Sequence, residues 1–120
     1  MEEQTEIDKE HAFQIVYDAL KSTARSKGTA FYGELAELIE LSGRSHEFHR
    51  ILDSIDALEN REGRPILSAL VVRRDFRIPG NGFFEQAKTL GKYADSTDDT
   101  ARASYWVEEV HRVWNYWANH

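Results

Sequence analysis

His46 and His49 stand three apart in "HEFH", a spacing that brings two imidazoles to one face of a helix, as a shared metal ion requires. No third ligand follows at a recognisable spacing, and the glutamate arrangement of the HExxH metalloproteases is missing. The pair therefore reads as a polar helix face which, with Arg50, can meet water or a phosphate. Asp53 with Asp56, and Asp98 with Asp99, have the proximity of acid–base dyads. Their flanks offer no desolvating cleft, so they read as solvated charge. Ser68 lies in an apolar run without a GxSxG elbow, and its hydroxyl is expected to bond backbone rather than attack a substrate. Cysteine is absent, which removes thiol nucleophiles, Cys-based zinc sites and disulfides. No cofactor or metal is expected.

The strongest electrostatic signal is arginine. Between residues 61 and 77 the chain carries Arg61, Arg64, Arg73, Arg74 and Arg77 against Glu62 and Asp75, a local balance of +3 in a chain whose formal net charge is −6. The last three sit in "VVRRDFRIPGNGFF", where Pro79, Gly80, Asn81 and Gly82 supply dense turn chemistry. The glycines do not make a phosphate loop, since neither a Gly-Lys-Ser/Thr helix start nor a three-glycine dinucleotide fingerprint is present. The stretch reads instead as the tip of a β-hairpin, with guanidinium groups matched in shape to phosphate oxygens. The competing reading is a solubilising turn, or salt bridges to the acidic helices.

Length and composition limit what can position these groups. A chain of 120 residues, 41% hydrophobic, can build one core but not two. The acidic start "MEEQTEIDKE" lacks the basic and apolar pattern of a secretory signal, and no apolar run reaches the roughly 18 residues of a membrane span, so a cytoplasmic protein without membrane contact is expected. Net acidity disfavours binding DNA over the whole surface, which confines any nucleic-acid contact to a local face.

Periodicity predicts a helix over 7–24 with Ile7, Phe13, Val16, Tyr17 and Leu20 on one side, ending near Gly28. A short helix is predicted over 32–41, with Leu35, Leu38 and Ile39 as its stripe. The turn "LSGRS" follows, with Gly43 permitting positive φ and Ser45 able to cap the next helix, predicted over 46–60 with Phe48, Ile51, Leu52, Ile55 and Leu58 inward. The β-branched run "RPILSALVV" predicts a buried strand near 66–72, and Phe83 and Phe84 its return. "ADSTDDTARAS", from Ala94 to Ser104, predicts an exposed loop, and "YWVEEVHRVWNYW" a final helix over 103–118. The expected fold is mainly α with a small β-hairpin: a winged helix-turn-helix with an added C-terminal helix, the strand and wing occupying 65–84.

Two passages, "AFYGELAELIELSGRSHEFHRIL" and "RPILSALVVRRDFRIPGNGFF", together resemble the C-terminal winged-helix domain of the O6-alkylguanine-DNA alkyltransferases and their non-catalytic alkyltransferase-like relatives. The shared pattern is a Tyr-x-x-Leu-Ala-x-Leu helix, a second helix, and a Pro-Ile strand ending in Val-Val before a glycine-containing turn, over about Phe31 to Phe84. The resemblance implies that Tyr32 matches the tyrosine that helps rotate a target nucleotide, and that His46, with Arg44 nearby, takes the place of the intercalating arginine. The family's Pro-Cys-His-Arg signature falls on Leu67, Ser68, Ala69 and Leu70, so both acceptor cysteine and activating histidine are replaced. Alkyl transfer is thereby excluded, and the tryptophan common in the non-catalytic relatives is missing too.

The sequence thus points to a non-enzymatic module for double-stranded DNA or a nucleoprotein, with Tyr32, Arg44, Ser45, His46, His49, Arg50, Arg73, Arg74 and Arg77 as its contact residues. The alternative is a protein-interaction module, a small accessory or phage-related regulator, docking another protein through its acidic surface and aromatic C-terminal helix.

Overall fold

A computed structural model describes residues 2–94 and 98–120, with side chains from Lys9 onward. Among the described residues five α-helices form in chain order: α1 (Glu2–Arg25), α2 (Tyr32–Glu37), α3 (His46–Arg61), α4 (Asn81–Thr89) and α5 (Asp99–Trp117). Strands β1 (Ala30–Phe31) and β2 (Val71–Val72) make a two-stranded sheet, and a 3₁₀ turn covers Leu67–Leu70. The fold is mainly α with a small β element, as expected. No described helix is long and apolar enough to cross a membrane.

The apolar stripes become a single core. Val16, Leu20 and Ala24 of α1, Phe48, Leu52 and Ile55 of α3, and Val110, Val113 and Trp117 of α5 surround the segment from Ile66 to Leu70. The side chain of Ile7 lies outside the described residues. The helix at 32–41 is shorter than its pattern: α2 stops at Glu37, and the chain turns with Glu40 at φ 61 so that Leu41 N–H reaches Ala36 C=O at 3.0 Å. This is the left-handed C-terminal closure that lets a helix reverse within a few residues.

Two expectations around the arginine turn need correction. The run 66–70 is not a strand, because its amide groups are claimed by carboxylates from two helices. Ile66 N–H donates to Glu109 at 2.9 Å, while Asp56 accepts from both Ser68 N–H (3.1 Å) and the Ser68 hydroxyl. A continuous apolar run does not by itself distinguish a strand from a tight helical turn. Nor is there a hairpin. Val71 and Val72 pair in parallel with Ala30 and Phe31, and Phe83 and Phe84 belong to α4. Phe83 and Ala87, four apart, are buried, with Leu90 packed beyond them, and Gly80 stands at the helix N-cap. That spacing, with Glu85, Gln86, Ala87 and Lys88 as good helix formers, favours a helix over a returning strand.

The buried acids are structural in their contacts, and Asp56 corrects the reading of solvated charge. Asp56, Glu59 and Glu109 are each at most 1% exposed. Arg64 grips Glu59 through two nitrogens at 2.9 and 3.0 Å, and Tyr17 donates its hydroxyl to the same carboxylate at 2.7 Å. Burial, then the bond to Glu59, pushes the Tyr17 phenol up to about 12. Glu109 is held by Arg112 (2.8 Å) and Lys92 (3.8 Å) besides the Ile66 amide. Asp53, by contrast, is exposed. Asp98 caps α5, accepting from Ala101 N–H at 3.2 Å, with Asp99 in the first turn, where a negative charge suits the helix dipole. Of the expected loop from 94 to 104, residues 95–97 lie outside the described residues, and α5 begins at Asp99, earlier than its apolar pattern.

Candidate nucleic-acid interface

The parallel register sets the geometry. Ala30 opposite Val71 and Phe31 opposite Val72 bring Tyr32, the first residue of α2, beside the chain leaving β2 at Arg73. Tyr32 then ties four segments together. Its hydroxyl accepts from Gly80 N–H at 3.0 Å, and its ring stacks on His49 with centroids 5.6 Å apart and planes at 28°. His49 in turn reaches Gly43 C=O with Nε2 at 2.8 Å. Because the carbonyl only accepts, Nε2 carries the proton of that bond. Burial holds the Tyr32 phenol above its ordinary range, so it stays a neutral hydroxyl.

Gly43 is needed for closeness rather than for positive φ, which the described glycines adopt at Gly63 and Gly91 instead. A Cβ on Gly43 would sit 3.0 Å from Gly33 N and 3.1 Å from the Tyr32 carbonyl carbon, both backbone atoms. Gly43→Ala should therefore lose about 1–3 kcal/mol in urea unfolding through overpacking. Gly33→Ala, whose Cβ meets nothing within 4 Å in a helix, should be neutral or slightly stabilising. Equal stabilities for the two variants would remove the close approach as the reason for glycine at 43.

Around this post lies an open cleft of about 760 Å³, bounded by the start of α2, residues 42–44, His49, the 73–75 turn and residues 80–82. Arg44 reaches it from the 42–44 turn and Arg73 and Arg74 from the 73–75 turn, together with Tyr32 and His49. Both turn arginines have carboxylate partners: Arg73 with Asp75 at 2.8 Å, and Arg74 with Glu34 at 3.0 Å. The salt-bridge alternative thus describes their contacts, but all four groups are exposed. Such pairs contribute little and can exchange for a phosphate. Arg74 and Arg77 lie over the Phe31 ring at 4.4 and 5.6 Å.

The remaining expected residues are elsewhere. Ser45 is spent as the N-cap of α3, accepting from Phe48 N–H at 3.2 Å. His46 and Arg50 line a different depression, of about 550 Å³, with Lys9 and Phe13. Arg77 does not line the cleft wall, and Arg64 turns inward to Glu59. Phe31, Asn81 and Gly82 join the cleft without being expected contact residues; Asn81 and Gly82 read as turn residues in the sequence, and the aromatic before Tyr32 was the available signal for Phe31.

A smaller pocket of about 300 Å³ adjoins the cleft, sharing Tyr32, His49 and Gly82 and reaching Asp53, Ser68 and Gln86. Ser68 donates its hydroxyl to Asp56 rather than to backbone or an imidazole. Burial pushes Asp56 up to about 7 against the opposing hydrogen bonds from Ser68. Compared with protein-family models, curated proteins and solved structures, the chain finds no match.

Proposed function

We propose that this chain is a non-enzymatic, cytoplasmic DNA-binding module whose cleft face meets a duplex backbone, with the 73–78 turn standing where a helix-turn-helix protein carries its wing. The observation that carries this reading is the convergence of Arg44, Arg73 and Arg74 on one open cleft in a chain of net charge −6. Concentrating cations on one face of an acidic protein is what local phosphate binding needs. The order α2, turn, α3 agrees with the resemblance to the alkyltransferase winged helix, which remains part of the proposal. A hydrolytic or transfer role is disfavoured at Ser68, since the residue is 6% exposed and both its hydroxyl and its amide are committed to the buried Asp56.

The alternative, docking of a protein partner through the aromatic C-terminal helix, has less surface to use. Trp117 is buried, and the indole N–H groups of Trp106 and Trp114 are committed to Ala69 C=O (2.8 Å) and Gly28 C=O (3.0 Å). Val107 is the large hydrophobic residue of α5 left exposed, beside Ile78 on a groove of about 480 Å³.

Fluorescence anisotropy of a labelled duplex across a salt series separates the readings. DNA binding through the three cleft arginines should weaken with salt at a log–log slope of about −3. The triple variant Arg73→Ala, Arg74→Ala, Arg77→Ala should bind more weakly whatever the DNA sequence, and flatten the slope by up to about one unit per lost contact. Its thermal midpoint should stay near wild type because all three residues are exposed. Absent binding, or binding indifferent to salt, would reject the proposal.

A further inference from the structure

The turn from Arg73 to Ile78 is braced at its base and apolar at its tip. Arg73 N–H donates to Ile78 C=O at 2.7 Å, and Arg77 N–H donates to Arg73 C=O at 2.8 Å with Arg77 in the left-handed region at φ 58. The Asp75 carboxylate accepts from Phe76 N–H at 2.7 Å and from the Arg73 guanidinium at 2.8 Å. Phe76, between these closures, is 68% exposed, the highest value among the large hydrophobic residues described, and Ile78 on the same turn is 44% exposed. Single exposed hydrophobics are common. Phe76 differs in standing on a closed turn with Arg73 and Arg74 before it and Arg77 after it, the Arg73 guanidinium 5.4 Å from its ring centroid. Three arginines against Asp75 leave the turn cationic, while its apolar plane projects to solvent.

We propose that Phe76 is a wedge that enters between base pairs of a duplex whose phosphates the flanking arginines hold. This rests on the DNA-binding reading above and adds to it a site and a deformation. An apolar side chain pushed into a base step partly unstacks it and kinks the helix, and the unstacking is offset by burial of the ring and by the phosphate contacts that a bent duplex brings within reach. The hydrogen bonds closing the turn supply the stiffness such insertion needs. Steps that are already poorly stacked should be entered most easily, so the wedge implies a preference for a mismatch over a fully paired site.

The test uses the full chain and two end-labelled duplexes of about 20 base pairs, one matched and one with a central T·T mismatch, read by anisotropy for affinity and by energy transfer between the ends for bending. Wild type should bind the mismatched duplex roughly tenfold more tightly than the matched one and shorten the end-to-end distance of both. Phe76→Ala should lose the bend and the mismatch preference while holding matched-duplex affinity within about threefold, and Phe76→Leu, which keeps an apolar wedge, should restore both. Phe76 is too exposed for these changes to threaten the fold, and circular dichroism of each variant checks that. Salt-dependent binding that the triple arginine variant weakens, but whose bend and mismatch preference survive Phe76→Ala, overturns the wedge and leaves the DNA-binding reading standing. Failure of wild type to bind either duplex overturns both.

Discussion

Removal of residues 99–120 should leave a chain that no longer unfolds cooperatively. α5 buries Val110, Val113 and Trp117 in the core, and packs Trp106 and Trp114 against it with their indole N–H groups on Ala69 and Gly28 carbonyls. Tryptophan truncations in such settings cost about 3–5 kcal/mol each, against about 5–15 kcal/mol for the stability of a whole domain. The deletion also removes Glu109, the acceptor for the buried Ile66 amide, at the segment that α1 and α3 also pack around. Thermal melts followed by far-ultraviolet circular dichroism should lose their sigmoid, and the truncated chain should aggregate. Trp117→Ala alone should keep a transition, lowered by about 3–5 kcal/mol. A cooperative melt from the truncated protein would show that α5 is an appendage, free for a partner, rather than a wall of the core.

The parts of the fold legible in the sequence are those governed by one period and one solvent-facing side. The inward positions of α3 repeat at three and four residues, and α3 forms over His46–Arg61 against an expected 46–60. The capping role open to Ser45 was readable because its side-chain oxygen acts on the local backbone. The 66–70 segment was not, since its conformation is decided by carboxylates from residues 56 and 109, far away in the chain. A clue was present nonetheless. Asp56 and Glu59 fall four and seven places after Leu52, within the apolar stripe of α3, and Glu109 falls four before Val113. An acid at an inward position needs a partner, and the unclaimed amides of an apolar run are suitable ones.

The site was readable to the extent that it is contiguous. Arg73 and Arg74 stand together on the cleft because they are neighbours on one turn, whereas grouping His46 with His49 assumed that adjacency on a helix face means a shared surface. His49 instead points back to Gly43 and stacks on Tyr32, while His46 opens to a separate depression. Tyr32 and Gly80 are brought together by the parallel pairing of β1 with β2, a long-range contact that local patterns do not carry. The same pairing replaces the expected hairpin with a lone turn, which carries Phe76.

Asp56 should make the protein lose stability as pH rises from about 4 to about 7. The side chain is 1% exposed, and burial raises its carboxyl from an ordinary 3.8 to about 7, even though hydrogen bonds from Ser68 favour the ionised form. The folded state therefore holds this proton more tightly than the unfolded chain. Its contribution is fully present below the unfolded value, falls as pH rises between the two values, and is gone above the folded one. The rise from 3.8 to about 7 corresponds to roughly 4 kcal/mol as an order of magnitude. Exposed carboxylates with ordinary partners have the opposite slope, so the clean readout is the difference between wild type and Asp56→Asn, in which they cancel. Asparagine can still accept from Ser68 N–H and can donate to the Ser68 hydroxyl, which reproduces the protonated acid without a group that ionises. The two proteins should have similar urea midpoints near pH 4, with the variant pulling ahead as pH rises and staying ahead at pH 8 by a few kcal/mol. A variant that is less stable than wild type by the same amount at every pH would mean that Asp56 is ionised throughout and anchors the 3₁₀ turn as a carboxylate.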